Sequence, residues 1–106
     1  MIKDDNYLKI INHYGINNQQ RKLAEEVFEL QEAIISANNF KENVGVNIFT
    51  GKIPDEFYNH ITEEIADVMV VLEQFKRYYN ISDDEIEKIK EFKVKRQMER
   101  IENNEN

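Results

Sequence analysis

Two stretches of this chain nearly repeat each other at an offset of 38 residues, and both set acids beside an apolar stripe. The first is Leu23-Ala24-Glu25-Glu26-Val27-Phe28-Glu29-Leu30, and the second is Ile61-Thr62-Glu63-Glu64-Ile65-Ala66-Asp67-Val68. Residues three apart on a helix share a face. Each copy therefore carries a carboxylate pair, Glu26 with Glu29 and Glu64 with Asp67. Two such helices packed together bring four carboxylates to one place. Unpaired anions in a helix interface are costly to desolvate. A divalent cation bound by oxygen ligands makes the arrangement favourable. The repeat thus points to a metal-dependent enzyme built from helices.

The 106 residues suit a single domain spanning 1–106, with 41% hydrophobic residues to form a core. A chain this short buries a limited share of its surface alone, so oligomerisation would help it. Three Gly and one Pro leave long helices uninterrupted, and the absence of Cys excludes disulfides and thiolate zinc sites. No apolar run approaches the ~20 residues of a membrane span. Met1-Ile2-Lys3-Asp4-Asp5 lacks the apolar stretch of a signal peptide, so a cytoplasmic protein is expected. The net charge of −7 argues against binding duplex nucleic acid. The bases crowd the last quarter as Lys88, Lys90, Lys93, Lys95, Arg96 and Arg100. That pattern fits a solvated helix face or a phosphate-facing one.

Helical periodicity predicts four helices, over about residues 3–14, 18–39, 55–79 and 82–102. Gly15 stands where a helix stop belongs, and Asn17 or Asn18 can cap the second helix. The second helix carries the stripe Leu23, Val27, Leu30 and Ile34. The third carries Ile61, Ile65, Val68, Leu72, Phe75 and Tyr79, together with the apolar run 68–72. That run asks for burial on more than one side. Ser82-Asp83-Asp84-Glu85 reads as a capping box opening the fourth helix. Residues 40–54, with Gly45, Gly51 and Pro54, read as a long loop, and long loops are often functional. The tail from Asn103 is polar. The expectation is an all-α, four-helix bundle completed by oligomerisation, with Val70 as an interface residue.

With Ile61 at zero on a helical wheel, Glu64 falls near about 300° and Asp67 near about 240°, on the same flank as Val71 and Tyr78. This acidic row turns apolar further along and so is expected to face protein. Glu26 and Glu29 take the same angles on the second helix, where the small Ala33 and Ala37 would admit a close partner. Glu25 and Glu63 are second-tier candidates. Taken singly, an acid such as Glu32 or Glu73 reads as a solvated surface group. Asp67 is a poor helix former in a helix interior and needs another reason to be there. Oxygen-only ligands suit Mg2+, Mn2+ or Ca2+. A di-iron carboxylate bundle wants Glu-x-x-His, and neither His13 nor His60 has Glu three residues before it. Mg2+ remains, with Mn2+ as a substitute, and Mg2+ usually serves phosphates.

Glu25-Glu26-x-x-Glu29 followed by Glu64-x-x-Asp67 resembles the paired motif of the MazG-like all-α nucleoside triphosphate pyrophosphohydrolases. Tyr14-Gly15-x-x-x-Gln19-x-x-Lys22-Leu23 leads into the first motif as in small members. Phe92-Lys93-x-Lys95-Arg96-x-x-x-Arg100 resembles their basic last helix. The resemblance covers residues 7–101 and departs in the 34 residues between Glu29 and Glu64, a longer gap than in compact members. It implies cleavage of a nucleoside triphosphate between its α and β phosphates, giving the monophosphate and pyrophosphate. It also implies Glu26, Glu29, Glu64 and Asp67 as Mg2+ ligands and Glu25 as an outer group or water-activating base. Lys93, Arg96 and Arg100 would contact phosphate. His13, Tyr14 and Gln19 would lie at the base, with Phe40, Phe49 or Tyr58 as stacking partners. Family members form homodimers, often paired into tetramers, with sites near the subunit interface. Two other readings compete. One is a catalytically idle helical module that binds nucleotide or a protein. The other is a dimeric dUTPase-like enzyme with the same metal logic and a narrower pocket.

Overall fold

The protein is all-α in a computed structural model that describes residues 2–43 and 54–103. The helices are α1 (Asp4–Tyr14), α2 (Ile16–Asn43), α3 (Asp55–Tyr78) and α4 (Asp83–Glu102). They match the helices expected from periodicity, with two differences at α2. It starts at Ile16 rather than after an Asn cap, because Gly15 alone makes the turn. With φ at 93°, Gly15 adopts a conformation that side chains disfavour, and its N–H donates to the Ile11 carbonyl at 2.8 Å. The second difference is at the far end. α2 runs through Phe40 to Asn43 where a loop was expected, and the Phe40 ring packs on Phe57 with centroids 5.0 Å apart. The rest of the expected loop, with Gly45, Phe49 and Gly51, lies outside the described residues.

α3 ends in a Schellman-type turn. Asn80 takes the left-handed conformation at φ 56° and donates to the Arg77 carbonyl, while Ile81 N–H reaches back to the Lys76 carbonyl at 2.9 Å. Asn tolerates that conformation better than most side chains. The N-cap half of the expected capping box is present at α4, where the Ser82 hydroxyl accepts the Glu85 N–H at 3.1 Å. Lys76 ties the corner together through Asp83 and Glu73.

α2 and α3 pack antiparallel along their lengths, and α1 lies across both. α4 packs against none of these three helices and buries no residue. The radius of gyration is 17.7 Å, against ~13 Å for a compact domain of about 100 residues. Three helices thus form the packed unit and the fourth projects from it.

The inner surface is not the main apolar stripe. Buried positions on α2 are Gln19, Glu26, Ala33 and Ala37, and those on α3 are Glu64, Val68, Val71 and Gln74. Stripe residues Val27, Ile34, Ile65 and Leu72 are all more than 40% exposed. The acidic flank therefore faces the helix partner, and much of the apolar stripe faces outward. Ala33 and Ala37 line the close approach, as their size suggested. No helix among the described residues is long and apolar enough to cross a membrane.

Candidate metal centre

The antiparallel register of α2 and α3 decides which residues meet. Gln19 on α2 donates its amide to Gln74 Oε1 on α3 at 2.7 Å. Each step up α2 is matched by an equal step back along α3, which sets Glu26 against Asp67 and Glu29 against Glu64. The charge of Glu26 acts on Asp67, and that of Glu64 on Glu29, as this pairing requires. One oxygen each from Glu26, Glu64 and Asp67 lies within 4.8 Å of the others, the spacing of ligands around one cation. Three of the four carboxylates expected from the sequence are therefore gathered at one place, while Glu29 is an exposed neighbour that feels the charges of Glu26 and Glu64 without belonging to that group.

Glu26 is 5% exposed and Glu64 is 8% exposed. Each has the same pair of environments. Glu26 Oε1 accepts from Lys22 Nζ at 2.9 Å, and Glu64 Oε1 lies 3.5 Å from His60 Nε2. In both residues Oε2 is buried with no hydrogen-bond partner. Lys22 and His60 each stand four residues before their glutamate and are separated by the repeat offset of 38. The duplicated sequence thus forms a local pseudo-two-fold, in which Glu26–Asp67 and Glu64–Glu29 are equivalent contacts.

The electrostatics follow from this crowding. The Glu29 carboxyl is raised above its ordinary value, chiefly by the charge of Glu26, then by burial and by Glu64. The Asp67 carboxyl is raised chiefly by burial, then by Glu26 and Glu63. Lys22 is raised by its hydrogen bond to Glu26, so it stays charged. A single ammonium shared among several carboxylates leaves the cluster under-neutralised. Orphaned buried carboxylate oxygens of this kind suit a hard cation with oxygen ligands.

A groove of about 610 Å³ opens beside one half of the centre. Lys22, Glu25, Glu26 and Asp67 form its acidic end, while Tyr14, Gln19 and Gln74 line the rest with Val70 and Val71. That volume is in the range of small-molecule sites. Of the residues expected at a base, Tyr14 and Gln19 line the groove. His13 does not; its ring meets Tyr14 edge-on at 4.7 Å. Phe40 is engaged with Phe57, Tyr58 is an exposed residue outside the groove lining, and Phe49 lies outside the described residues. Glu25 is exposed at the rim and Glu63 acts on Asp67 from the solvent side.

Lys93, Arg96 and Arg100 are not brought to the carboxylates within one chain. They ride on α4, which projects from the packed helices, and Arg96 lies over its own neighbour Phe92 at 5.7 Å. The cations that do line the groove are Arg21 and Lys22, with Lys22 in contact with Glu26. Helical spacing carried that signal, since a Lys four residues before a Glu pairs with it. Gln74 was also missed, because a Gln in an apolar helix gives no periodic signal of its own. Comparison with known proteins leaves the chain without an assigned relative: no family model, curated protein or solved structure matches it.

Proposed function

We propose that this chain is a Mg2+-dependent nucleoside triphosphate pyrophosphohydrolase of the MazG-like type, acting as a cytoplasmic homo-oligomer. The observation that carries the reading is the pair of buried glutamates, Glu26 and Glu64, each with an unpartnered Oε2, inside a three-carboxylate cluster with Asp67. Glu26, Glu29, Glu64 and Asp67 hold the cation. Bound there, Mg2+ or Mn2+ supplies charge neutralisation of the phosphates and a more acidic bound water.

Within the groove the chain's own residues bind and orient the nucleotide. Tyr14 offers a ring face and the Gln19–Gln74 pair offers amide groups, and a cation held by the carboxylates at the acidic end would offset the charge of the phosphates there. Glu25, exposed at the rim, takes the proton of the water that attacks the α phosphorus. The bond between that phosphorus and the oxygen bridging to the β phosphate breaks, and pyrophosphate leaves with that oxygen. A second copy of the chain would complete the same picture. It would cover the outward apolar residues Val27, Ile34, Ile65 and Leu72, and it would give the unpacked α4, with Lys93, Arg96 and Arg100, a surface to meet.

A panel of ribo- and deoxynucleoside triphosphates with Mg2+ tests the reading. The expected products are monophosphate and pyrophosphate with no diphosphate intermediate, and Glu29→Gln should slow turnover at least ~10²-fold. Orthophosphate with accumulating diphosphate would refute the bond assignment. Turnover confined to dUTP would move the reading to the dUTPase-like alternative. Binding without turnover would favour the idle module, for which the Lys22–Glu26 pair already supplies part of the charge balance.

A further inference from the structure

The pseudo-two-fold of the centre is broken in one respect. Lys22 and His60 hold equivalent places beside Glu26 and Glu64, yet only Lys22 lines the groove. On the other side of the repeat, beyond His60, Phe57 packs against Phe40. The groove end nearest the carboxylates must accept an anion if it accepts a phosphate chain, although the protein carries a net charge of −7. A triphosphate approaching this end meets Glu25, Glu26 and Asp67. Coulomb repulsion there opposes entry unless a cation on the groove wall offsets it.

The Lys22 side chain is 51% exposed, and among the described residues it pairs with Glu26 Oε1 at 2.9 Å. Its ammonium thus meets solvent on one side and Glu26 on the other. Arg21, the other basic wall residue, has Nη1 donating to the Asn18 side-chain oxygen at 3.2 Å on the exposed surface. The α4 bases do not reach the groove within the chain. Lys22 is thus the cation already seated between the carboxylates and the groove.

We propose that Lys22 is an exchangeable counter-ion of this centre: it neutralises Glu26 when no divalent cation is bound, loosens from Glu26 once a cation offsets that carboxylate's charge, and then binds a phosphate oxygen of the ligand in the groove. The proposal rests on the metal reading given above and adds a named phosphate contact within the same chain. It gives Lys22 two opposite effects. As a competitor for Glu26 it weakens binding of the metal alone. As a donor to phosphate it strengthens binding of the ligand. A purely structural lysine would not separate the two.

The test uses the full chain and two base-free probes, Mn2+ alone and inorganic triphosphate in saturating Mn2+, followed by calorimetry. Lys22→Met keeps most of the stem and removes the charge, Lys22→Arg restores a charge, and Lys90→Met removes an equal charge on α4. The expected result for Lys22→Met is Mn2+ binding several-fold tighter than wild type and triphosphate binding at least ~10-fold weaker, the scale of one charge-assisted hydrogen bond. Lys22→Arg should recover much of the triphosphate affinity, and Lys90→Met should match wild type for both probes. Wild-type triphosphate affinity in Lys22→Met would overturn the phosphate role. Weakened Mn2+ binding in a folded Lys22→Met would overturn the competition. A wild-type protein that binds no Mn2+ would instead overturn the metal reading itself, so the two failures are distinguishable.

Discussion

Glu26 and Asp67 face each other across the α2–α3 interface with carboxylate oxygens within 4.8 Å, although both are acids. Glu29 and Glu64 are the matching pair of the repeat, and the charge of Glu64 acts on Glu29. A helix interface in a small domain has little apolar area to spare for such contacts, and this one devotes Glu26, Glu64, Gln19 and Gln74 to buried positions. Their arrangement is costly for the protein alone, and a cation bound there would offset that cost. The consequences can be measured separately.

The first concerns pH. Asp67 and Glu29 have folded-state pKa values above their ordinary ones, 3.8 and 4.5. For an acid with a raised folded value, the stabilising contribution is present below the unfolded pKa. It is lost as pH rises through the folded pKa. In chelator at neutral pH, Asp67→Asn should therefore be more stable than wild type, and the gap should close as pH falls toward the ordinary carboxylate range. Urea denaturation of both proteins across that range checks this. A gap that widens on acidification would contradict it.

The second concerns the amide pair at the floor of the groove. Gln74 is 2% exposed and accepts from Gln19 at 2.7 Å. Gln74→Met removes the acceptor and leaves a buried donor on Gln19, at a cost of about 1–3 kcal/mol. The double variant Gln19→Met/Gln74→Met leaves neither group stranded and should cost less than the two single changes added together. Denaturation midpoints of the four proteins give the cycle. Strict additivity would mean the bond contributes nothing to stability.

The third concerns assembly. The outward stripe and Phe28, which is 59% exposed, offer more apolar surface than a lone three-helix unit needs to show. α4 projects with Ile89, Phe92 and Ile101 uncovered. Light scattering at micromolar concentration should give a homo-oligomer, and Phe28→Glu should shift it toward smaller species. A 12.7 kDa particle for the wild type would contradict this expectation.

The sequence made most of this legible at the level of helices and acids, for identifiable reasons. Gly15 and the Ser82 box are local signals that act within a turn, so α1, α3 and α4 begin and end near where periodicity puts them. The carboxylates were legible because the repeat copies their spacing onto two helices. The acidic flank was expected to face protein, and Glu26, Glu64 and Val71 do turn inward. What was harder to read is that the apolar stripe, which ordinarily marks the core, leaves Val27 and Ile65 outward. Only the pairing of helices decides that, and pairing is a tertiary fact. The disposition of Lys93 and Arg96 was hidden for the same reason, because α4 carries no local signal of what it packs against. Lys22 could have been found from its spacing to Glu26, and the matching His60–Glu64 spacing in the repeat reinforces it.

The most direct measurement of the central claim is thermal unfolding of wild type and Asp67→Asn in chelator, in millimolar Mn2+, and in NaCl of equal ionic strength. A cation that binds only the folded protein at about 100 times its Kd adds about 2.7 kcal/mol. For a domain of this size that is on the order of 10 °C in Tm. A metal centre predicts such a rise in wild type with Mn2+, little rise with NaCl, and loss of most of the shift in Asp67→Asn. An unchanged wild-type Tm in millimolar Mn2+, or an equal shift in Asp67→Asn, would contradict a metal centre built on Glu26, Glu29, Glu64 and Asp67.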